Sequence, residues 1–376
     1  MHTRVDFLYL NEADMIKAGV TDMAACVECM EEMFRILSVG DYKMAGQNGN
    51  SHGAMVTFPA NPPFPNMPKD GPDRRFMAMP AYLGGKFDIA GMKWYGSNEE
   101  NREKGLPRSI LTVMLNDKNT GAPLALMSAN LLSAYRTGAV PGVGAKYLAP
   151  KDARMVGVIG PGVMSKTSVA SFVCACPGLD TVLVSGRGQA SIDSFIAFIK
   201  ENYPQFKTIT VVDSMEAACY GADIVTMGTS STFGMENYPF IEEKWLKPGM
   251  LLSCPACVRV DDEFMANRAR KVLEHYALYE AWADEYSYPS FDSLGIIGVR
   301  YLDLMRDGKI AREDIVELGD VVSGHAPARE FEGQIVINSV GGMPVEDLAW
   351  GHTVYQKARQ LGLGVSLNLW DTPFLA

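Results

Sequence analysis

The most constraining feature of this chain is the stretch RMVGVIGPGVMS at residues 154–165, which predicts a buried strand, a glycine-rich turn and a helix in that order. Val156 and Val158 belong to the β-branched run of a strand that is covered on both faces. Gly160 and Gly162 follow at once, and a turn without Cβ atoms lets a pyrophosphate approach the N–H groups at a helix start. The pattern therefore predicts a dinucleotide site.

Two positions after the turn refine this expectation. Val163 opens the helix, which continues to Cys176 without a breaker. Ser165 stands where a third glycine is usual, and serine is small enough for close packing of helix and strand. A GxG pair also fits an ordinary strand-to-helix turn, and it is the order of the elements that favours nucleotide binding.

The next strand, Thr181–Ser185, bears on the choice of dinucleotide. NAD-binding folds usually place an acidic residue at the end of this strand to hold the ribose 2′-hydroxyl. Here Ser185 is followed by Arg187, and Asp193 is the first acid. A guanidinium can pair with a 2′-phosphate, so the sequence favours NADP(H) over NAD(H). A solvated loop arginine is the alternative interpretation.

Strands and helices continue to alternate through residues 192–252, which predicts a parallel, doubly wound sheet. The strand at 223–227 ends in small polar residues that include Thr229, and ligands usually sit at such carboxyl ends. The first 130 residues lack this rhythm. They predict a helix at 21–38 and then strands at 76–82, 87–95, 110–115 and 122–127. A last helix at 345–361 is expected to pack beside this N-terminal α+β region.

Composition excludes several classes of protein. The net charge of −10 argues against a nucleic-acid-binding face. The N-terminus does not read as a signal peptide, and no apolar run reaches the length of a membrane span. Seven scattered cysteines favour structural thiols over a disulfide framework, and the pairs Cys26/Cys29 and Cys254/Cys257 lack neighbouring histidines. We therefore expect a cytoplasmic protein without a bound metal.

Two basic residues are candidates for chemistry. Lys93 lies near the end of a strand whose other members are apolar, where a lysine can titrate easily and polarise a carbonyl or imine. A lysine on the solvent side of a half-buried strand is the alternative. Arg136 lies in an apolar helical segment and needs an anionic partner, which a substrate carboxylate or a structural acid would both supply. His52, in a Gly/Ser loop, is better explained by simple exposure.

Several separated segments together resemble one family. These are Lys93, RTGAVPGVGAKYLA (136–149), VGVIGPGV (156–163), ELGDVVSGHAPAR (317–329) and SVGGMPVEDLAW (339–350). In this order they resemble the ornithine cyclodeaminase/mu-crystallin family. The resemblance implies an α/β fold in which a Rossmann-type domain, residues 131–324, is inserted into a second α+β domain, residues 1–130 plus 325–376. It also implies that the second domain binds the substrate and dimerises through its sheet.

The resemblance also implies site residues. Lys93 matches the lysine that contacts the substrate carboxylate and the reacting centre, and Arg136 matches the arginine that clamps the carboxylate. The positions that match cofactor-contacting residues of the family are Thr137, Gly160, Gly162, Val163, Val340 and Gly341.

Two departures from the family pattern bear on the substrate. The family often has a second carboxylate-binding arginine near the position of Asn50, whereas here the nearest candidates are Arg74 and Arg75. Ornithine cyclodeaminases carry an aspartate after the strand that ends here at Leu252, whereas this chain has no acid before Asp261. That aspartate handles the distal amine, so we expect a substrate without a second ammonium group.

The leading hypothesis is an NADP(H)-dependent oxidoreductase on C–N bonds, which interconverts an amine or amino acid and its imine. A redox-neutral, cyclodeaminase-like lyase with bound NAD(P) is one alternative. A nucleotide-linked binding protein of the mu-crystallin kind, without turnover, is the other. The resemblance implies a homodimer, and the expected partner is a small amine, imine or amino acid.

Overall fold

The computed structural model describes residues 3–46, 53–231 and 234–375. Asn50 and His52, both considered above, lie outside these ranges. Contacts divide the chain into two compact units. Unit 1 consists of Met1–Asp22, Val39–Arg136 and Met343–Ala376, and unit 2 consists of Met23–Ser38 and Thr137–Gly342.

The strands, in chain order, are β1 (Val5–Leu10), β2 (Tyr42–Met44), β3 (Ala54–Thr57), β4 (Arg75–Leu83), β5 (Ile89–Ser97), β6 (Ser109–Asn116), β7 (Pro123–Ser128), β8 (Met155–Ile159), β9 (Thr181–Ser185), β10 (Thr208–Val211), β11 (Ile224–Met227), β12 (Phe240–Ile241), β13 (Leu251–Cys254), β14 (Arg259–Val260), β15 (Arg270–Leu273), β16 (Ile315–Glu317), β17 (Val336–Ser339) and β18 (Val365–Trp370).

The α-helices are α1 (Glu12–Lys17), α2 (Met23–Ser38), α3 (Asn130–Leu148), α4 (Val163–Ala175), α5 (Gln189–Asn202), α6 (Met215–Cys219), α7 (Asp262–Asn267), α8 (Tyr276–Glu285), α9 (Ser290–Ser293), α10 (Ile297–Arg306), α11 (Leu318–Val322) and α12 (Pro344–Gln360). No helix among the described residues is both long enough and apolar enough to cross a membrane.

Unit 1 is built on one mixed sheet in the order β18-β1-β7-β6-β5-β4-β2, with β3 also paired to β4. All pairs are antiparallel except β1 with β7. Helix α12 packs against β4, β5 and β6, so the inward residues of these strands form the core of the unit. The ring N–H of buried Trp350 on α12 donates to the carbonyl of Val20 and ties the helix to the N-terminal segment. The last helix therefore packs beside the N-terminal region, as expected.

Unit 2 is built on a parallel sheet in the order β10-β9-β8-β11-β13-β17-β15-β16. Its first five strands have the 3-2-1-4-5 order of a Rossmann fold, and the sixth place is taken by β17, the last strand of this sheet in the chain. The direction of winding reverses between β8 and β11. The predicted α/β, doubly wound parallel sheet is confirmed. Ligands of such sheets bind beyond the carboxyl ends of the strands at this reversal, which here means the turn after β8.

The boundaries of the units differ from the expected domain limits of 130/131 and 324/325. Helix α2 belongs to unit 2 because it packs on α4 and α11. The second boundary falls after Gly342, since β17 is a central strand of the parallel sheet. The first falls within α3, between Arg136 and Thr137.

Candidate active site

Lys93 lies in the middle of β5, with its side chain on the covered face of the sheet in unit 1. Its cross-strand neighbours on that face are Met79 on β4 and Val113 on β6, both fully buried. Lys93 itself is only 3% exposed. The interpretation of a solvent-facing lysine is therefore excluded, because an ammonium group at this depth requires a charged partner.

The partners of Lys93 and Arg136 are two acids of helix α12. Lys93 Nζ lies 2.8 Å from Oδ2 of Asp347. Arg136 donates from Nε to Oδ1 of the same aspartate at 3.0 Å, and from Nη1 to Oε2 of Glu346 at 2.5 Å. All four side chains are buried. We call this group, Lys93, Arg136, Glu346 and Asp347, the charged cluster.

The start of helix α12 explains why two acids can be buried here. Pro344 occupies the first helical turn, where its missing N–H leaves no hydrogen bond unmade. Glu346 and Asp347 follow in the same turn, where the positive end of the helix dipole stabilises carboxylates. Both side chains are completely buried, so the two cations supply the remaining compensation.

Burial sets the protonation properties of the charged cluster. The pKa of Lys93 is lowered to about 8, chiefly by burial and next by the positive charge of Arg136, while Asp347 opposes the change. Burial likewise raises the pKa of Glu346, and the neighbouring charge of Asp347 adds to that rise against the effect of Arg136. A lysine with such a pKa can donate or accept a proton near neutral pH.

One carboxylate oxygen of the charged cluster takes no part in the ion pairs described above. Oε1 of Glu346 is buried and has no hydrogen-bond partner among the residues that the structure describes. A buried acceptor without a donor is costly, so this oxygen is suited to a ligand donor or to a bound proton.

The surroundings of Lys93 are apolar along the strand. The ring of Tyr95 lies 5.6 Å from its Nζ, and Met77, Met79 and Leu111 pack around that ring. An ammonium beside an aromatic face and methionine side chains is poorly solvated, which agrees with its lowered pKa.

The two arginines considered as a second carboxylate site lie in different surroundings. Arg75 is the first residue of β4, and its Cζ lies 6.0 Å from the centre of the Tyr95 ring. Along the paired strands β4 and β5, Arg75 is level with Ser97, so Tyr95 lies between it and Lys93. Its Nη1 pairs with Asp73 at 2.5 Å. Arg74 instead forms an ion pair with Glu100. Of the two, Arg75 is the one that lies near Tyr95.

Sequence reasoning singled out Lys93 and Arg136 but missed both acids. Glu346 and Asp347 lie in a segment that contributed to the family resemblance, yet they look like ordinary acids of a helix N-terminus. The signal available in the sequence was charge compensation, because two buried cations in apolar segments require buried carboxylates as partners. Sequence alone does not say which of the many acids supply them.

The glycine turn of unit 2 has the geometry expected for a dinucleotide. Gly160 has a φ of +84°, and a Cβ there would lie 2.7 Å from backbone atoms of Gly228 and Thr229. Gly162 precedes α4 and offers no side chain to cap it, so the first N–H groups of the helix are not covered from within the turn. Ser165 donates to the carbonyl of Gly160 at 2.7 Å. The serine in the third glycine position thus fixes the turn.

Three further predicted residues lie in unit 2 near this turn or on helix α3. Val163 is the first residue of α4 and is well exposed. Thr229 follows β11, and its buried Oγ1 has no hydrogen-bond partner within the described residues. Thr137 is half-buried on α3 beside Gly138, where a Cβ would lie 2.2 Å from the side chain of Thr167 on α4.

Ser185 and Arg187 follow the second strand of the parallel sheet. Ser185 ends β9, and its carbonyl accepts from the N–H of Gly160 at 2.9 Å, which joins the strand end to the glycine turn. Arg187 is exposed in the loop before α5. Its guanidinium forms no ion pair with a described residue. The expectation that Arg187 contacts a 2′-phosphate stays a prediction.

Val340 and Gly341 follow β17 at the same carboxyl edge. Val340 is buried, and its N–H donates to the carbonyl of Cys254 at 3.2 Å. The N–H of Gly341 donates to Oε2 of Glu274 at 2.7 Å. Sequence reasoning missed Glu274, which directly follows β15.

The cysteine pairs show no feature of a reactive site. Cys26, Cys29 and Cys254 are buried, and burial raises the pKa of the Cys254 thiol. All seven cysteines are free thiols. Within the described ranges, no group of three or more histidine, cysteine or acidic residues is arranged to hold a metal ion.

The fold and these two sets of residues define an α/β protein with a Rossmann-type unit and a second unit that buries a lysine–arginine–carboxylate cluster. A family model supports a narrower statement, because the model of the ornithine cyclodeaminase/mu-crystallin family matches residues 19–362. The chain belongs to this family, as its motifs predicted.

Three relatives show the range of the similarity. N-((2S)-2-amino-2-carboxyethyl)-L-glutamate dehydrogenase of Staphylococcus aureus is 28% identical over 97% of this chain and 99% of its own length. Among solved structures, Delta(1)-pyrroline-2-carboxylate reductase of Thermococcus litoralis, in complex with NADH and L-proline, has a TM-score of 0.76 at 24% identity, and the match covers 96% of this chain and all of that one. An archaeal alanine dehydrogenase dimer with bound NAD has a TM-score of 0.77 at 23% identity, with 97% and 100% covered.

Proposed function

We propose that this chain is an NADP(H)-dependent oxidoreductase that acts on C–N bonds and interconverts an amine or amino acid with its imine. The observation that carries the proposal is the buried charged cluster, which combines a lysine of lowered pKa with an arginine able to bind a carboxylate. Relatives named as dehydrogenases and a reductase of amino-acid and pyrroline-carboxylate compounds support the same class of reaction.

Unit 2 is the proposed cofactor-binding unit. Gly160 and Gly162 leave the turn open, and the N–H groups that start α4 are not capped by a side chain of Gly162. The buried Oγ1 of Thr229 has no hydrogen-bond partner among the residues that the structure describes. These features fit a pyrophosphate. Ser185 and Arg187, with no acid between them, favour NADP(H), while NAD(H) is bound by the relatives whose structures name it. When bound, the reduced nicotinamide supplies a hydride to the imine carbon.

Lys93 is the proposed proton donor and acceptor. In the direction of reduction, its ammonium polarises the C=N bond and gives a proton to nitrogen as the electron pair of that bond moves there. In the direction of oxidation, the neutral side-chain amine of Lys93 takes a proton from the substrate nitrogen. A pKa of about 8 leaves both forms accessible near neutral pH. Burial among apolar side chains keeps water from competing for this proton.

Arg136 is the proposed carboxylate clamp. The guanidinium of Arg136 already contacts Glu346 and Asp347. A substrate carboxylate must therefore either bind Arg136 beside these two acids or displace one of them. Glu346 is the acid more easily replaced, because its raised pKa favours the neutral carboxyl and a weaker hold on Arg136. Fixing the carboxylate orients the adjacent carbon for hydride transfer, and such orientation accounts for a large part of enzymatic rate enhancement.

The test is a screen by absorbance of the reduced nicotinamide. NADPH and NADH are each offered with 2-oxo acids plus amines, with cyclic imino acids and, in the oxidised form, with amino acids. We expect turnover with higher kcat/KM for NADPH, and a loss of about a thousandfold in Lys93→Ala. Lys118→Ala, which removes a lysine paired with Asp88 at the surface, is the control and should keep full activity.

Other outcomes distinguish the alternatives. Binding of NADPH without turnover on any substrate would contradict the oxidoreductase and favour a binding protein. Release of ammonia without net change in nicotinamide absorbance would favour a redox-neutral lyase. Equal turnover by Lys93→Ala would contradict the role of the lysine.

We also propose a homodimer that forms through the sheet of unit 1. Helix α12 covers one face of this sheet, whereas the opposite face exposes an apolar row across four strands, formed by Val56, Phe76, Trp94 and Ile110. Phe76 and Trp94 stack at 5.9 Å, and exposed apolar patches of this kind mark interaction sites. Sedimentation velocity should show a dimer that Trp94→Glu dissociates. A monomeric wild type at micromolar concentration would contradict this proposal.

The expected location is the cytoplasm. Seven free thiols fit a reducing compartment. Fractionation of cells that express the full chain tests this expectation.

A further inference from the structure

The loop that follows β17 is held by one buried carboxylate. Glu274, which directly follows β15, is 1% exposed. Its Oε2 accepts the N–H of Gly341 at 2.7 Å and the N–H of Gly342 at 2.8 Å. Because β15 and β17 are neighbours, with Leu273 paired to Ser339, the acid reaches the loop directly from the adjacent strand end. Two successive backbone amides on one oxygen form a small anion-binding nest.

A second contact restricts the same loop. A Cβ on Gly341 would lie 2.7 Å from the ring of Trp282, so only glycine fits between that ring and the loop backbone. Gly342 has a φ of +95°, a conformation that other residues rarely adopt. Trp282 in turn packs edge-on to Tyr279 at 5.4 Å. Together, Glu274 and Trp282 leave the backbone little freedom.

The contacts also determine what the loop can offer a ligand. The N–H of Val340 is taken by Cys254, and those of Gly341 and Gly342 by Glu274. Three successive donors are therefore used inside unit 2. What the loop has left to offer is carbonyl oxygens, since Val340 is buried and only Gly341 is partly exposed. Carbonyl acceptors are complementary to the carboxamide of a nicotinamide, whose NH2 group is a donor.

We propose that Glu274 is a positioning residue that holds the Val340–Gly342 loop in the conformation that contacts the nicotinamide. This inference rests on the proposed function and on the position of Val340 and Gly341, which follow β17 at the carboxyl edge of the parallel sheet, where a dinucleotide would bind. The carboxylate acts through the loop backbone, while the turn at Gly160 holds the pyrophosphate. Loss of Glu274 should therefore loosen the nicotinamide end of the cofactor and spare the other end.

The experiment compares Glu274→Ala and Glu274→Gln in the full chain. The first readout is amide hydrogen exchange of the free protein, in which Glu274→Ala should speed exchange at residues 340–342 by about tenfold or more, since two amides lose their acceptor. The second is the fluorescence of bound NADPH, which is enhanced when the ring is immobilised. This enhancement should fall in Glu274→Ala while the Kd changes less than about threefold. Glu274→Gln keeps an acceptor oxygen and should restore both readouts.

Asp303 offers a matched control in the same unit. It is also a buried carboxylate that accepts two successive backbone amides, those of Ser290 and Phe291. Asp303→Ala should speed exchange at residues 290–291 and leave the fluorescence of bound NADPH unchanged. Equal loss of fluorescence in both alanine variants would overturn the proposal, because the effect would then be general loosening.

Two further results would overturn it separately from the proposed function. Unchanged exchange at residues 340–342 in Glu274→Ala would show that the carboxylate does not hold the loop. Normal NADPH fluorescence despite faster exchange would show that the loop does not position the ring. Wild-type protein that binds neither NADPH nor NADH would instead contradict the proposed function itself, and with it this role of the loop.

Discussion

The charged cluster of unit 1 and the glycine turn of unit 2, the two proposed binding regions, are built in opposite ways. The cluster uses side chains, and the segments that carry Arg136 and Glu346 are 210 residues apart in sequence. The turn uses backbone atoms from one short stretch, and its glycines matter for the side chains they lack. Substitutions in the charged cluster should therefore affect both the stability of the fold and the proposed chemistry. Substitutions in the glycine turn can affect ligand binding without affecting stability.

The largest effect that this comparison predicts is on folding. Arg136→Ala leaves Glu346 and Asp347 buried with a single cation, and breaking a buried ion pair costs about 3–5 kcal/mol. The free energy of unfolding, measured in denaturant, should fall by that amount. The deficit should shrink as the pH is lowered, because burial already raises the pKa of Glu346 and its protonation removes a buried charge.

The control for this variant is an arginine in an exposed pair. Arg268→Ala removes the pair with Glu243, whose side chains are 46% and 40% exposed, and should cost less than about 1 kcal/mol. Equal losses in both variants would contradict the view that the charged cluster is part of the core of unit 1.

These two regions also differ in how well a sequence reveals them. The strand, turn and helix around Gly160 are contiguous, so hydrophobic pattern and glycine spacing were sufficient to predict the parallel sheet and the turn at its carboxyl edge. Lys93 and Arg136 were noticed because charges in apolar segments are unusual. Their partners Glu346 and Asp347 were missed, since pairing across the chain is a property of the tertiary fold.

Two further elements show the same limit. Helix α2 lies between β1 and β2 of unit 1 in the chain but packs with unit 2, and no local signal marks that choice. Strand β18 alternates apolar and polar residues as an edge strand does, yet so short a run near the end of a chain is easily passed over. Sequence patterns predicted the elements whose structure depends on neighbouring residues, and they did not predict contacts between distant segments of the chain.

A pair of glycine variants sharpens the comparison. Gly160→Ala places a Cβ 2.7 Å from backbone atoms at a φ of +84°, so its cost should be about 2–4 kcal/mol of unfolding free energy. Gly162→Ala meets its nearest neighbour, the carbonyl oxygen of Gly228, at 3.9 Å, so folding should be unaffected. The new methyl group would instead block the approach of the pyrophosphate and weaken NADPH binding by about tenfold to a hundredfold.

Thermal unfolding and fluorescence titration measure the two effects on the same samples. A stable Gly162→Ala protein with normal NADPH affinity would contradict the placement of the pyrophosphate at this turn. A large loss of stability in Gly162→Ala would show that folding and binding are not separable there.

The smallest predicted effect is a shift of a pH profile, and it tests how the members of the charged cluster act on one another. In the proposed mechanism reduction requires the protonated form of Lys93, so the rate of reduction should fall as the pH rises through about 8. Asp347 raises the pKa of Lys93 against the effects of burial and of Arg136. Asp347→Asn removes that contribution, which lowers the pKa further and moves the fall in rate to lower pH. At pH 8 the reductive rate should decrease by about threefold.

The profile of kcat/KM between pH 6 and pH 10 measures this shift (both limits are about two units from the expected midpoint). Asp371→Asn, which alters an exposed acid paired with Arg4, should leave the profile unchanged. A midpoint that moves to higher pH in Asp347→Asn, or a midpoint that stays in place, would show that Lys93 is not the titrating group. The direction of the shift therefore decides whether the buried ion pair tunes the proton transfer or serves only the packing of helix α12 on its sheet.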